Sequence, residues 1–168
     1  NKNNFLILII LILALFLRYY NFDKYGYWMD EYWGTFYLSN PELSFGELQN
    51  RIEDFGKFQF GMPEPTPIYY YYLLNIFFEI LGYNPENGRI FSILFNFTSV
   101  IFFFFTCKLI TTKFNSIISL VLISLNIFLI WEAQEARVQS LNLFFVSVNL
   151  YLFCFLYFKK LNFLISIF

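Results

Sequence analysis

Two carboxylates, Asp30 and Glu31, stand side by side among Tyr25, Tyr27, Trp28, Tyr32 and Trp33. Aromatic faces cover the apolar side of a sugar ring or a lipid headgroup, and a carboxylate beside them can take a hydroxyl proton. Adjacent residues leave a helix or strand in different directions, so one of the pair faces a given cavity and the other serves a separate partner. Periodicity alone allows a plainer reading too, a solvated loop or an aspartate capping a short helix.

Three further clusters carry chemistry. The stretch WEAQEARVQS, residues 131–140, sets Glu132, Gln134, Glu135 and Arg137 between two apolar runs. A guanidinium offers a planar fork that never deprotonates, so Arg137 suits a phosphate; the three charges can equally pair with one another. In GYNPENGR, residues 82–89, Arg89 opens the next apolar run, and its plainer reading is an interfacial arginine beside a surface turn. In PEPTP, residues 63–67, Glu64 sits between prolines that fix the loop where it meets the membrane surface. Histidine is absent, so acid–base work falls to the carboxylates. Cys107 and Cys154 both lie in apolar runs and read as small buried hydrophobes, with no disulfide framework or CxxC metal motif.

These groups are positioned by elements with a membrane composition. Of 168 residues 58% are hydrophobic and only 14% charged, against about a quarter in soluble proteins. Net charge is −1, so nothing in the composition suggests a nucleic-acid surface. The expected fold is all-α, a polytopic transmembrane helical bundle with an extracytoplasmic first loop that carries juxtamembrane helices. Spans are expected at 5–20, 90–107, 114–131 and 139–158, with a fifth beginning at 161–168 and outer loops at 21–89 and 132–138. The chain reads as the N-terminal part of something longer. Arg18 is expected to snorkel from the end of the first span toward the headgroups.

The run Ile68–Leu81 is 14 residues long and contains Glu79. The positive-inside rule favours an interfacial or re-entrant helix there, which places Lys2, Lys108, Lys113, Lys159 and Lys160 on the cytoplasmic side. All twelve acidic residues and all four arginines then fall outside. Within the first loop, Asn40 followed by Pro41, and Ser44 followed by Glu47, signal helix starts. Phe45, Leu48, Ile52 and Phe55 follow at helical spacing, an amphipathic helix that rests on the membrane or on the protein.

Taken in order, these landmarks resemble the N-terminal part of the GT-C membrane glycosyltransferases that use polyprenyl-phosphate sugars, in particular the protein O-mannosyltransferase-like and aminoarabinose-transferase-like proteins. The features are an apolar first helix, the Asp30–Glu31 pair, an amphipathic loop helix, a PPLYY-like entry at residues 66–70 and a QEAR at residues 134–137. Thr66 and Gln139 depart from the pattern of those proteins. The resemblance implies an inverting transfer on the extracytoplasmic face of an integral membrane protein, with membrane lipids around it and a protein or glycan as acceptor. Asp30 would be the general base and Glu31 its support; Arg137, and second Arg89, would hold the donor phosphate. Glu31 with Glu64, and also Glu135 and Gln134, would support the site or help hold a divalent ion. A phosphate leaving group needs no second carboxylate as general acid, unlike glycoside hydrolysis. The rival reading is a non-enzymatic transporter or lipid scaffold, which calls for charges in mid-span. The sequence places none there.

Overall fold

The computed structural model describes residues 2–32, 37–61 and 66–165, apart from the side chains of Lys2, Asp30, Gln59, Phe60 and those beyond Phe158. It is helical, with no strand among the described residues: α1 Lys2–Tyr19, α2 Met29–Glu31, α3 Phe45–Phe60, α4 Ile68–Leu81, α5 Pro85–Ile110, α6 Lys113–Ser124, α7 Ile127–Ala133 and α8 Val138–Ile165. Two segments, Pro85–Ile110 and Val138–Phe158, are long and apolar enough to cross a membrane, or three spans if α6 and α7 count as one bent crossing. The composition and these helices are those of a membrane protein. Helix α1 is shorter than this measure of a span.

Helix α5 is the central mast, packed against α8, α6, α7, α1 and α4. Its start is written locally. Asn84 accepts a hydrogen bond from the Glu86 amide at 3.0 Å, and Pro85 takes the first helical position, where its missing N–H costs nothing. Asn87 donates to the carbonyls of Leu81 and Gly82 at 2.9 and 2.8 Å, closing the end of α4 against the start of α5. Polar side chains within α5 turn back on their own helix: Thr98, Ser99 and Thr106 donate to carbonyls four residues earlier, so an apolar environment leaves those hydroxyls satisfied.

One apolar core joins α3, α4, α5 and α8 through Leu48, Ile52, Leu74, Phe78, Phe91 and Leu141. A second joins α1, α5 and α6 through Ile10, Val100, Phe104 and Leu120. The amphipathic helix α3 therefore rests on the protein, its apolar stripe against α4. The expected capping box is present: Ser44 N–H donates to Glu47 Oε2 at 2.9 Å, and the Glu47 amide donates to Ser44 Oγ at 3.4 Å. Those bonds hold the Glu47 carboxyl below its usual range. Asn40 closes a turn before α3, accepting from Glu42 N–H at 2.9 Å, and does not start the helix as expected. Gly61 ends α3 at φ 62°, a left-handed position suited to glycine.

Three further expectations change. The run 114–131 is no single straight helix, because α6 and α7 meet at a 55° bend. Asn126, polar within the apolar run, starts α7 by accepting from the amides of Phe128 and Leu129 at 3.0 and 3.2 Å. Helix α8 continues without a break through Lys159 and Lys160 into the segment expected to open a fifth span. Arg18 does not snorkel. It is fully buried, donating from Nε to Asn96 Oδ1 at 2.8 Å and from Nη1 to the carbonyls of Ala14 and Ser124 at 3.0 and 3.2 Å. The bend leaves the last carbonyls of α6 without helical partners, and the guanidinium supplies donors where that helix end is electronegative.

Removal of the guanidinium by Arg18→Met strands these buried acceptors. Thermal unfolding of the full-length protein in detergent is expected to show a loss of about 3 kcal/mol. A snorkelling arginine would give a change of under about 0.5 kcal/mol, as ordinary surface substitutions do.

Candidate functional site

The first loop, the start of α5 and the turn between α7 and α8 meet at one end of the bundle. Helix α1 stops because Asn21 adopts a left-handed φ of 59°, a conformation that asparagine tolerates. The chain then turns inward, burying Phe22 against Ile93 and Ala133. That turn aims the carbonyls of Phe22, Tyr25 and Gly26 at α5. Arg89, one turn into α5 and only 2% exposed, receives them: Nη1 donates to Phe22 O at 2.6 Å and Tyr25 O at 2.9 Å, and Nη2 to Gly26 O at 3.3 Å.

The other side of the guanidinium meets Glu31, which is completely buried. Arg89 Nε donates to Oε1 at 2.9 Å and Nη2 to Oε2 at 2.8 Å, a two-point fork. All five N–H donors of Arg89 are thereby used. Glu31 is equally committed. Its Oε1 also accepts from the Ala136 amide at 2.7 Å, and its Oε2 from the Trp28 amide at 3.3 Å. One carboxylate thus joins α2, α5 and the middle of the QEAR turn. Tyr27 lies under the guanidinium with 4.3 Å between Arg89 Cζ and the ring centre. Burial pushes the Tyr27 hydroxyl above its usual range, and the Arg89 charge pulls it partly back.

The QEAR turn is fastened by its own side chains. Gln134 Nε2 donates to the carbonyls of Leu17 and Tyr20 at 3.3 and 3.0 Å, covering the end of α1. Trp131 Nε1 donates to Glu135 Oε1 at 2.6 Å, while Arg137 Nε lies 3.1 Å from Glu135 Oε2. Between the first loop and this turn is a cavity of about 310 Å³, lined by Phe22, Tyr25, Gly26 and Trp28 on one side, Arg89 on another, and Trp131, Gln134 and Glu135 on the third.

The structure therefore brings Glu31, Arg89, Gln134 and Glu135 together, with Arg137 beside Glu135. Arg89 has no donor left for a phosphate and Glu31 no lone pair left for a cation, so the chemistry of both is to hold the site. Asp30 lies within α2 by its backbone, but its side chain, like all of Glu64, is outside the described residues. Sequence reasoning missed the part played by the Ala136 amide. A backbone donor leaves no signal in residue type.

Truncation of either buried partner leaves the other unpaired, so Arg89→Met is expected to cost about 3–5 kcal/mol in thermal unfolding of the full-length protein. Arg89→Lys is expected to cost nearly as much, because an ammonium cannot span five acceptors. The double change Glu31→Met with Arg89→Met should lose less than the sum of the singles. A lysine variant that melts with the wild type contradicts the fork.

No family model matches the sequence, and no solved structure matches it. Over 160 residues the chain is 26% identical to an uncharacterized protein of Aquifex aeolicus (strain VF5), a match that takes in 94% of this chain. The same match takes in 31% of that relative, so the chain spans about a third of its length.

Proposed function

We propose that the chain is the N-terminal part of a membrane glycosyltransferase that moves a sugar from a polyprenyl phosphate to a hydroxyl acceptor on the extracytoplasmic face. The observation that carries this reading is the joint at Glu31. It draws together the carboxylate pair, the start of α5 and the QEAR turn, segments far apart in the chain, around an aromatic-lined cavity. A packed bundle needs no such convergence of polar groups at one end, whereas a site for a polar headgroup does.

In this reading the roles are redistributed. Asp30, next to the joint, takes the proton from the acceptor hydroxyl as that oxygen attacks the anomeric carbon and the phosphate departs with the bonding pair. Inversion follows from a single displacement. Arg137, partly exposed beside Glu135, is the guanidinium assigned in this reading to the departing phosphate. Glu31 and Arg89 are positioning residues. Their bonds hold the backbone on either side of Asp30, and Glu135 with Gln134 fixes the opposite wall. With its lone pairs filled by protein donors, Glu31 is a positioning group and not a ligand for a divalent ion in this reading.

The test is sugar transfer by membranes holding the full-length protein, offered a panel of polyprenyl-phosphate sugars. Asp30→Asn is expected to lower transfer about a hundredfold or more with donor binding retained. Arg137→Gln is expected to weaken donor binding instead. Equal transfer by wild type and Asp30→Asn removes Asp30 from the mechanism, and no transfer from any donor contradicts the reading as a whole.

A further inference from the structure

We infer that the cavity beside Arg89 is a site for a primary ammonium group, carried by a soluble amine or by a lipid headgroup of the ethanolamine kind. Arg137, the residue proposed above for the donor phosphate, does not line this cavity, so the inference concerns a separate subsite and stands whether or not the protein transfers sugar.

The inference comes from an inventory of hydrogen-bonding groups at the cavity wall. The donors are spent. Arg89 uses all five of its N–H groups on Glu31 and on the carbonyls of residues 22–26. Both amide hydrogens of Gln134 go to Leu17 and Tyr20, and the Trp131 indole goes to Glu135. Among the lining side chains only the Trp28 indole and the Tyr25 hydroxyl remain to donate. Among the lining side chains a phosphate or other anion would find few donors, and it would face Glu135.

What remains at the wall is the complement of a cation that donates. Glu135, only 8% exposed, accepts one indole bond and faces one guanidinium, so its four lone-pair positions are not filled. The oxygen of Gln134 accepts no bond among the described residues. Around these acceptors stand the rings of Phe22, Tyr25, Trp28 and Trp131, whose faces attract positive charge. The loop already displays that attraction: Lys24 Nζ lies 5.9 Å from the centre of the Tyr25 ring. A quaternary ammonium would satisfy the rings alone, whereas a primary one also gives N–H groups to Glu135 and Gln134. A volume of about 310 Å³ suits a headgroup and not a polymer.

The experiment is a tryptophan-fluorescence titration of the purified full-length protein with ethanolamine hydrochloride, ethylene glycol and inorganic phosphate at constant ionic strength. Ethylene glycol has nearly the same shape without the charge. Ethanolamine is expected to bind about tenfold more tightly than the glycol, and phosphate more weakly than ethanolamine. Glu135→Gln is expected to erase the preference over the glycol. Trp28→Leu alters an exposed ring outside the packed core and is expected to weaken ethanolamine binding while leaving the melting temperature unchanged, so the site stays testable if the Glu135 variant fails to fold. Repetition in nanodiscs separates the sources: competition by phosphatidylethanolamine but not by phosphatidylglycerol supports a lipid occupant, and no competition by either supports a soluble amine. Glycol binding equal to ethanolamine, preferred phosphate binding, or ethanolamine binding untouched by both variants overturns the inference.

Discussion

The buried fork between Glu31 and Arg89 is the constraint on which this end of the molecule depends. Taking both charges out of water is costly, and the arrangement repays it only because every donor of the guanidinium and every lone pair of the carboxylate has a partner. The partners are chosen from three places in the chain. Three carbonyls of the first loop, one amide at the start of α2 and one amide in the QEAR turn are all bound to the same ion pair. Beyond the packing of Phe22 against Ile93 and Ala133, the loop is held by its backbone, which is fastened to α5. An ion pair used in this way specifies geometry more than it adds stability, which is the need of a site whose walls come from distant segments.

The same solution recurs below the site with backbone acceptors in place of a carboxylate. Arg18, at the end of α1, gives its donors to the carbonyls that the bend exposes at the end of α6. Gln134, just after α7, gives its amide to the carbonyls at the end of α1. Each helix end is closed by a side chain from the other segment, which ties α1 to the bent segment at both places. In an apolar surrounding an unpartnered carbonyl is expensive, and broken helices persist where neighbours satisfy the freed groups. The bend in turn sets the direction of α7, which carries Trp131 to the cavity wall.

Much of this was legible in the residues, for reasons that separate local from distant interactions. The bounds of α4 coincide with the apolar run 68–81, and Ser44 with Glu47 starts α3, because caps and periodicity act within a few residues. The bend was missed although a signal existed, Asn126 inside an apolar run. Arg18 was misread because an arginine at the end of a span has the same local sequence whether it turns outward to headgroups or inward to a broken helix. The pairing of Arg89 with Glu31 joins residues 58 apart, and no spacing rule reaches that far. Their types marked them for chemistry, while the bonds show that they are occupied with each other. Polar residues near a site divide between those that meet a ligand and those that hold the first group in place, and only the count of filled donors and acceptors separates them.

The most direct test of this account is native-state hydrogen exchange of the full-length protein, following the amides of residues 22–32 and of Ala136 in the wild type and in Glu31→Gln. If the joint organises the site, the two segments lose protection together by a similar factor in the variant, while α3 and α4 exchange as before. Loss of protection confined to residues 28–32, with Ala136 unchanged, would contradict it.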